Sequence, residues 1–325
     1  MKIIGTGSAL PSLSVTNDML AQFLDTSDDW IRARTGIAQR RILSTESLID
    51  LAVKSAKQAI LDAGMEAKDI DFLFCSNVVN NYVTPALSCI IQGEIEATCP
   101  CIDLNGACSG FIYALDMAEA YLATGRAKNI LIVCAEEPSR IVDWTERNTS
   151  ILFGDGAAAV VLTAEGDSLK SMHLSTSSKL EPLYYQRKLE YNPYVNKKEE
   201  GAPLVMNGKD VYKLAVSASL SDIKTVLNKA NIKADEVDFY LLHQANIRII
   251  ETIRQNLNQQ EDKFPHNIEY YGNTSSASIP ILLDEMSRSN KLNNGDLLVF
   301  SAFGAGFTTG ACVLIWSKDK KKKYD

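Results

Sequence analysis

No run of apolar residues in this 325-residue chain approaches the ~18 that a membrane-crossing helix requires. The opening "MKIIGTGSALP" holds too short an apolar stretch for a secretory signal, so a cytoplasmic location is expected. Histidine is scarce: His173, His243 and His266 are the whole supply, and they are scattered. Cys99 and Cys101 form a "CPC" pair with no second pair at zinc-ribbon spacing, so no structural or catalytic metal is expected. The cysteines number 7, an odd set, and most lie inside apolar runs such as "FLFCSN" and "ILIVCA". That pattern fits reduced, buried thiols and excludes a disulfide framework. Positive charge is also short, with 33 Lys and Arg against 40 Asp and Glu for a formal charge of −7. A nucleic-acid binder, which needs a concentrated basic face, is not expected. The one basic run, "KDKKKKYD" at 318–325, reads as a solvated tail.

Apolar residues make up 46% of the chain, ample for one large domain or two fused halves. An internal echo favours halves. "LIDLAVKSAKQAILDAGMEAKDIDF" from Leu48 aligns without a gap to "AVSASLSDIKTVLNKANIKADEVDF" from Ala215, an offset of 215 − 48 = 167. Each reads as an amphipathic helix, a Gly64 or Asn231 cap, a polar turn and a strand entered through Asp-Phe. At the same offset "CIDLN" at 101 meets "IEYYG" at 268, and "NILIVCA" at 129 meets "DLLVFSA" at 296. Matching "FGDGAAAVVL" to "FGAGFTTGACVLIW" lowers the offset to 303 − 153 = 150, so the earlier copy carries an extra excursion, "EPSRIVDWTERNTSIL". The expectation is a duplicated α/β unit, each copy a mixed sheet covered by helices, divided into 1–167 and 168–325. Lys179 to Pro203, without clear periodicity, reads as a long surface loop or lid.

In such folds ligands gather where strands end and helices begin. "LNGACSGF" places Cys108 at such a junction, among small residues that let a substrate approach, and a helix N-terminus there is expected to lower the thiol pKa. Adding 167 lands in "YYGNTSSASIP", so Asn273 is expected at the second copy's version of the cysteine site, while His243 ends a strand as Ser76 does. By residue type alone, Cys108 reads as a small buried hydrophobe, His243 as a structural histidine and Asn273 as a turn residue. Packing the copies about an approximate two-fold axis would bring all three together. "FGAGFTTG" reads either as a tight hairpin or as a turn exposing backbone N–H groups to an oxyanion.

"DLNGACSGF", "HQANIR", "YGNTSSASIP" and "FGAGFTTG", with "DTSDDWIRARTGIAQRRI" near the start and "MNGKDVYKLAV" before the second copy, resemble the signature segments of β-ketoacyl-acyl carrier protein synthase III. The resemblance covers nearly the whole chain. It implies an α/β, thiolase-like fold of duplicated αβαβα-type layered halves with pseudo-two-fold symmetry, and an acyltransferase that starts fatty acid synthesis. An acyl-CoA, which is substrate and not a resident cofactor, would acylate Cys108. Malonyl-acyl carrier protein would then lose carbon dioxide and attack that thioester, with His243 and Asn273 binding the developing negative charge. The resemblance further implies an oxyanion hole from the backbone of Cys108 and Ala305, and CoA contacts from Trp30, Arg34, Arg147 and Asn246. It implies carrier-protein docking by Lys213, Gln244, Ala245, Asn246, Ile247 and Arg248, an acyl pocket reached by Thr84, and a homodimer. Three positions depart from the family pattern: Thr309 stands where Trp is common, Gly106 where Ala is frequent and Ala305 where Gly is frequent. A condensing enzyme or acyltransferase of secondary metabolism and a non-catalytic acyl-binding scaffold remain alternatives; thiolase proper fits less well, since Cys312 in "GACVLIW" reads as a strand residue.

Overall fold

The computed structural model describes residues 1–190, 192–194 and 200–318; the basic tail from 319 and part of the 179–203 segment lie outside the described residues. Up to residue 163 the chain runs β1 (Lys2–Ala9), β2 (Leu13–Thr16), α1 (Asn17–Leu20), α2 (Asp28–Thr35), β3 (Gln39–Ile42), α3 (Leu48–Asp62), β4 (Phe72–Ser76), α4 (Leu87–Glu94), β5 (Cys101–Leu104), α5 (Gly110–Ala123), β6 (Asn129–Glu136), α6 (Arg147–Ser150) and β7 (Gly156–Thr163). There follow β8 (Leu169–Lys179), β9 (Leu183–Gln186), β10 (Ala202–Met206), α7 (Gly208–Ala230), β11 (Phe239–Leu242), α8 (Ile247–Leu257), α9 (Ile268–Tyr271), α10 (Ser278–Arg288), β12 (Leu297–Gly304) and β13 (Gly306–Ile315).

Two mixed sheets carry the architecture, ordered β1-β7-β6-β4-β5 and β8-β13-β12-β11. Their pairings match: β4 runs parallel to β6 as β11 does to β12, while β6–β7 and β12–β13 are antiparallel. The central strands "NILIVCAE" and "LLVFSAFG" are apolar on both faces because both faces are covered. On β6, Ile130, Ile132 and Cys134 turn toward α5, and Leu131 and Val133, on the alternate face, turn toward α3. Phe111, Leu115 and Ala118 of α5 and Ile279, Leu282 and Leu283 of α10 fill the space between the sheets, against Phe74 and Ile132 on one side and Leu241 and Phe300 on the other. Each such large apolar side chain contributes roughly 1.5–3 kcal/mol by leaving water. With α3 outside one sheet and α7 and α8 outside the other, the layers read α/β/α/β/α.

The repeat holds with three corrections. Ile268–Tyr271, expected as the strand matching β5, is the short helix α9. Tyr271 Oη and the Asn267 amide both donate to the Glu285 carboxylate, which pins this segment onto α10 in place of an extended run beside β11. Gly272 then adds one residue at φ 66°, and the offset becomes 168. The backbone records the change: Asp71 N donates to Asn129 O, whereas Asp238 N, its partner at 167, donates to Leu297 O. The expected Phe153–Phe303 match also fails. Phe303 lies within β12, paired to Thr309, and the β12–β13 turn is too tight to hold a counterpart of Phe153, which sits in the 137–155 excursion. Finally, the described part of the 179–203 segment contains β9 and β10, an antiparallel pair tied to the excursion by Leu204 N donating to Ile141 O.

Candidate active site on the pseudo-two-fold axis

Two copies of one turn face each other where the sheets end. Asn105 Oδ1 accepts Ala107 N–H at 3.2 Å, and Asn273 Oδ1 accepts Ser275 N–H at 2.8 Å. Ala107 (φ 47°) and Ser275 (φ 53°) both adopt the left-handed conformation, which is uncommon for residues with a side chain. Each opens a 3₁₀ turn, Ala107–Ser109 or Ser275–Ala277, that feeds α5 or α10. Structurally, therefore, Asn105 matches Asn273 and Cys108 matches Ser276, one residue away from the pairing that the sequence offset suggests.

Cys108, His243 and Asn273 line one cavity of about 760 Å³, together with Phe303 and Gly304. Among the described residues a larger cleft, about 990 Å³ around Phe264, His266 and Glu285, holds none of these three. His243 is buried at the end of β11, edge-on to Phe303 at 5.2 Å between ring centroids. Its Nδ1 lies 2.7 Å from Ser278 Oγ, which accepts Gln244 N–H at 3.3 Å. With that oxygen accepting from Gln244, we assign the Ser278 hydroxyl proton to Nδ1 and therefore the imidazole proton to Nε2. Nε2 is enclosed and has no hydrogen-bond partner among the described residues. Burial pushes the His243 pKa down to about 3, so the ring is neutral at ordinary pH.

The thiol behaves differently from expectation. Burial first, and the negative charge of Glu136 as well, push the Cys108 thiol up to about 12 against a hydrogen bond from Ser275. Cys108 sits in the 3₁₀ turn, not in α5, which begins at Gly110, so the helix terminus does not overcome desolvation. At ordinary pH the Cys108 side chain is therefore a neutral thiol. Around it, Gly304 is obligatory: a Cβ there would fall 2.7 Å from Cys108 N. Ala305 follows immediately, and Thr308 Oγ1 donates to Gly106 O at 2.9 Å, fastening the β12–β13 turn to the cysteine turn.

Farther out, Trp30 and Arg34 line the same cavity, and the Arg34 and Arg147 guanidinium carbons stand 4.3 and 4.8 Å from the Trp30 ring centroid. Arg147 is also held by Asp25, its Nη1 donating to the Asp25 carbonyl at 2.5 Å. Asn246 has its amide committed internally, donating to Arg34 O at 3.1 Å and accepting Arg248 N–H at 2.9 Å, so it shapes the wall that Ala245 and Arg248 share. Lys213 and Arg248 are exposed at the mouth. Gln244 is not on a docking surface: it is buried, with its Nε2 donating to Leu242 O at 2.7 Å and its Oε1 accepting Asn267 N–H at 3.3 Å. Ile247 packs inward, so close to Gly36 that a Cβ there would fall 2.6 Å from it. Thr84 is exposed and is not a wall of this cavity.

Ser275, Ser276, Ser278 and Glu136 surround these residues and are not singled out by sequence reasoning. The signals are present: a polar run "TSSAS" directly after Asn273, and an acidic residue ending the otherwise apolar strand "NILIVCAE".

Two matching halves stacked in five α/β/α/β/α layers around a Cys/His/Asn cavity define a thiolase-like fold. Residues 102–179 match the family described as 3-oxoacyl-[acyl-carrier-protein (ACP)] synthase III, and residues 227–316 match its C-terminal counterpart. The chain is 42% identical to a β-ketoacyl-[acyl-carrier-protein] synthase III of Clostridium botulinum (strain Okra / Type B1), over 98% of this chain and 99% of that one. Among solved structures, the 3-oxoacyl-[acyl-carrier-protein] synthase III of Aquifex aeolicus VF5 superposes with a TM-score of 0.90 at 38% identity, covering 97% of this chain and 99% of that chain. The priming β-ketosynthase of the R1128 polyketide pathway gives 0.91 at 30% identity, covering 98% of this chain and 97% of that chain. The chain belongs to the β-ketoacyl-acyl carrier protein synthase III family, and it is a condensing acyltransferase.

Proposed function

We propose that the chain joins an acyl-CoA starter to malonyl-acyl carrier protein with loss of carbon dioxide, giving a 3-oxoacyl-acyl carrier protein through an acyl-Cys108 intermediate. The observation that carries the reading is the buried, unpartnered Nε2 of a neutral His243 in the cavity that Cys108 and Asn273 share. A buried donor without an acceptor costs about 1–3 kcal/mol, and an oxyanion in the cavity supplies the acceptor. In the first half-reaction Cys108 attacks the thioester carbonyl, whose oxygen is received by the backbone N–H groups of Cys108 and Ala305. In the second, decarboxylation places negative charge on the malonyl thioester oxygen, where His243 Nε2–H and the Asn273 amide donate to it. The small residues around Cys108 admit the substrate, and the Trp30–Arg147 pair grips the nucleotide end of CoA with its planar faces. Lys213 and Arg248 are the exposed cations that an acidic carrier protein meets at the mouth.

The division into halves at 167/168, a homodimer in which Thr84 reaches the partner's acyl site, and a cytoplasmic setting belong to the same reading. It is supported by the placement of the two sheets before residue 164 and after residue 168. Among the described residues no helix is long and apolar enough to cross a membrane. The likeness to the polyketide-priming synthase favours a second reading, a starter other than acetyl-CoA used in a specialised pathway. Incubation with a panel of acyl-CoAs and malonyl-acyl carrier protein, following carbon dioxide and product mass, decides between them. Absence of a 3-oxoacyl product with every starter overturns both.

A further inference from the structure

Among the described residues, Cys101 and Cys89 make the one thiol–thiol hydrogen bond: Cys101 Sγ donates to Cys89 Sγ at 3.5 Å. Every cysteine of the chain is free, so the pair is a reduced dithiol. Its setting is built by β5, the edge strand of its sheet, and by α4, which packs against that strand. Cys101 and Asp103 stand two apart on β5 and so share one face. The Asp103 carboxylate accepts Leu87 N–H at 2.8 Å and Ser88 N–H at 2.7 Å, which fastens the first turn of α4 over that face and sets Cys89 on Cys101. A disulfide requires roughly 1.5 Å of further approach by the two sulfurs, a displacement that side-chain rotation supplies. The two thiols differ in access. Cys89 is exposed and Cys101 partly covered; burial, and next the hydrogen bond with Cys89, push the Cys101 thiol up. The other cysteines stand apart: Cys75 and Cys99 are packed in the core beneath α4, Cys134 and Cys312 in the core between the sheets, and Cys108 lines the Cys/His/Asn cavity.

We propose that Cys89 and Cys101 are a modification site, a dithiol that closes to a reversible disulfide on meeting a low-molecular-weight disulfide such as oxidised glutathione. The Cys89 thiolate, its proton gone to solvent, attacks one sulfur of the reagent. A Cys89–glutathione bond forms, the reagent's S–S bond breaks and one glutathione thiolate leaves. Cys101 then gives its proton to solvent and attacks Cys89 Sγ, so that the Cys89–Cys101 bond forms and the second glutathione leaves. Two electrons pass from the protein to the reagent, the two glutathione thiolates take up protons, and excess reduced glutathione runs both steps backward. β5 leads into the Asn105 turn that carries Cys108, so the bond ties the strand before that cysteine to α4. Cys108 takes no part, and the exchange does not depend on acylation chemistry.

The test exposes the reduced full chain to oxidised glutathione in a buffer of about 1 mM total glutathione, with acid quench, intact mass, and peptide mapping after alkylation. The wild type should lose two hydrogens at this pair and yield a linked Cys89–Cys101 peptide. The closed form should outnumber the Cys89–glutathione adduct at least about tenfold, because a thiol held at 3.5 Å acts at an effective concentration far above that of the free thiol. Cys101→Ser should stall with one glutathione on Cys89, Cys89→Ser should lose closure, and Cys99→Ser should close as the wild type does. Excess reduced glutathione should restore both thiols. The proposal is refuted if the wild type keeps both thiols free, or if the Cys89 adduct equals or exceeds the closed form. Linkage of either cysteine to Cys99 or to a second copy of the chain, or closure that reduced glutathione does not reverse, refutes it equally.

Discussion

Replacing His243 by alanine should separate the two half-reactions proposed for the site. His243 has one group left for substrate, because Nδ1 is engaged by Ser278 at 2.7 Å and the enclosed Nε2 has no hydrogen-bond partner among the described residues. Removing one such donor costs about 10²–10³ in rate, or about 2.7–4 kcal/mol, when charge develops at the bound oxygen. That loss should fall on decarboxylation, measured as labelled carbon dioxide released from malonyl-acyl carrier protein. Acylation of Cys108, measured by intact mass, should stay within about threefold, because its oxyanion is held by backbone N–H groups. Ser278→Ala should be milder, roughly fivefold on decarboxylation, the worth of about one neutral hydrogen bond of about 1 kcal/mol that orients the ring. The pH dependence supplies an independent check. Burial lowers the His243 pKa from 6.5 to about 3, so the donor is neutral from pH 5 to 8 and contributes no step there. Equal loss of both half-reactions in His243→Ala, or a step near pH 6.5 in decarboxylation that disappears in this variant, would refute the assignment.

Three further outcomes follow from the same geometry. Gly304→Ala forces a methyl to 2.7 Å from Cys108 N; acylation should fall by at least about 10², with a stability loss of about 1–3 kcal/mol, and near-normal acylation would show that the turn yields. Trp30→Ala should raise KM for acyl-CoA about tenfold, consistent with about 1.4 kcal/mol for a desolvated cation–π stack, and leave KM for malonyl-acyl carrier protein unchanged. Glu136 binds its proton more tightly when folded, its pKa raised from 4.5 to about 7, so its contribution is present below about 4.5 and lost as pH rises through 7. At ~1.4 kcal/mol per unit, urea unfolding should show Glu136→Gln gaining roughly 3 kcal/mol on wild type between pH 4.5 and 8, and a constant difference would mean the carboxylate is not buried.

Helices and strands are legible in the sequence because their patterning is strong. α3 and α7 show apolar spacing and caps, and β6 and β12 are near-continuous apolar runs enclosed on both faces. What escapes is tertiary. No local signal in "IEYY" shows that Tyr271 and Asn267 will bind Glu285, and that pair of contacts turns a strand into α9. The one-residue slip at Gly272 follows from it. The Cys108 pKa departs from expectation for a related reason: sequence reveals a helix start, but not the desolvation at the cavity floor or the negative charge of Glu136. Gln244 reads as part of a surface motif, yet its side chain bridges Leu242 and Asn267 inside the fold.

With the offset corrected, the duplication relates the proposed reactive set to a second, closed set. Ser76 and His243 end matching strands, and Cys108 and Ser276 occupy matching turns, so the axis pairs His243 with Cys108 as it pairs Ser76 with Ser276. Ser76 Oγ donates to Ser276 Oγ at 2.9 Å, closing that pair against itself. The divergence is steric as well as chemical. Ser278 supports His243, while its counterpart Gly110 must lack a side chain, since a Cβ there would fall 2.0 Å from Ser76 Oγ. One member of each pair is thus free to face the cavity, and its twin is packed shut. The closed set ends on Glu136, to which Ser276 Oγ donates at 2.5 Å.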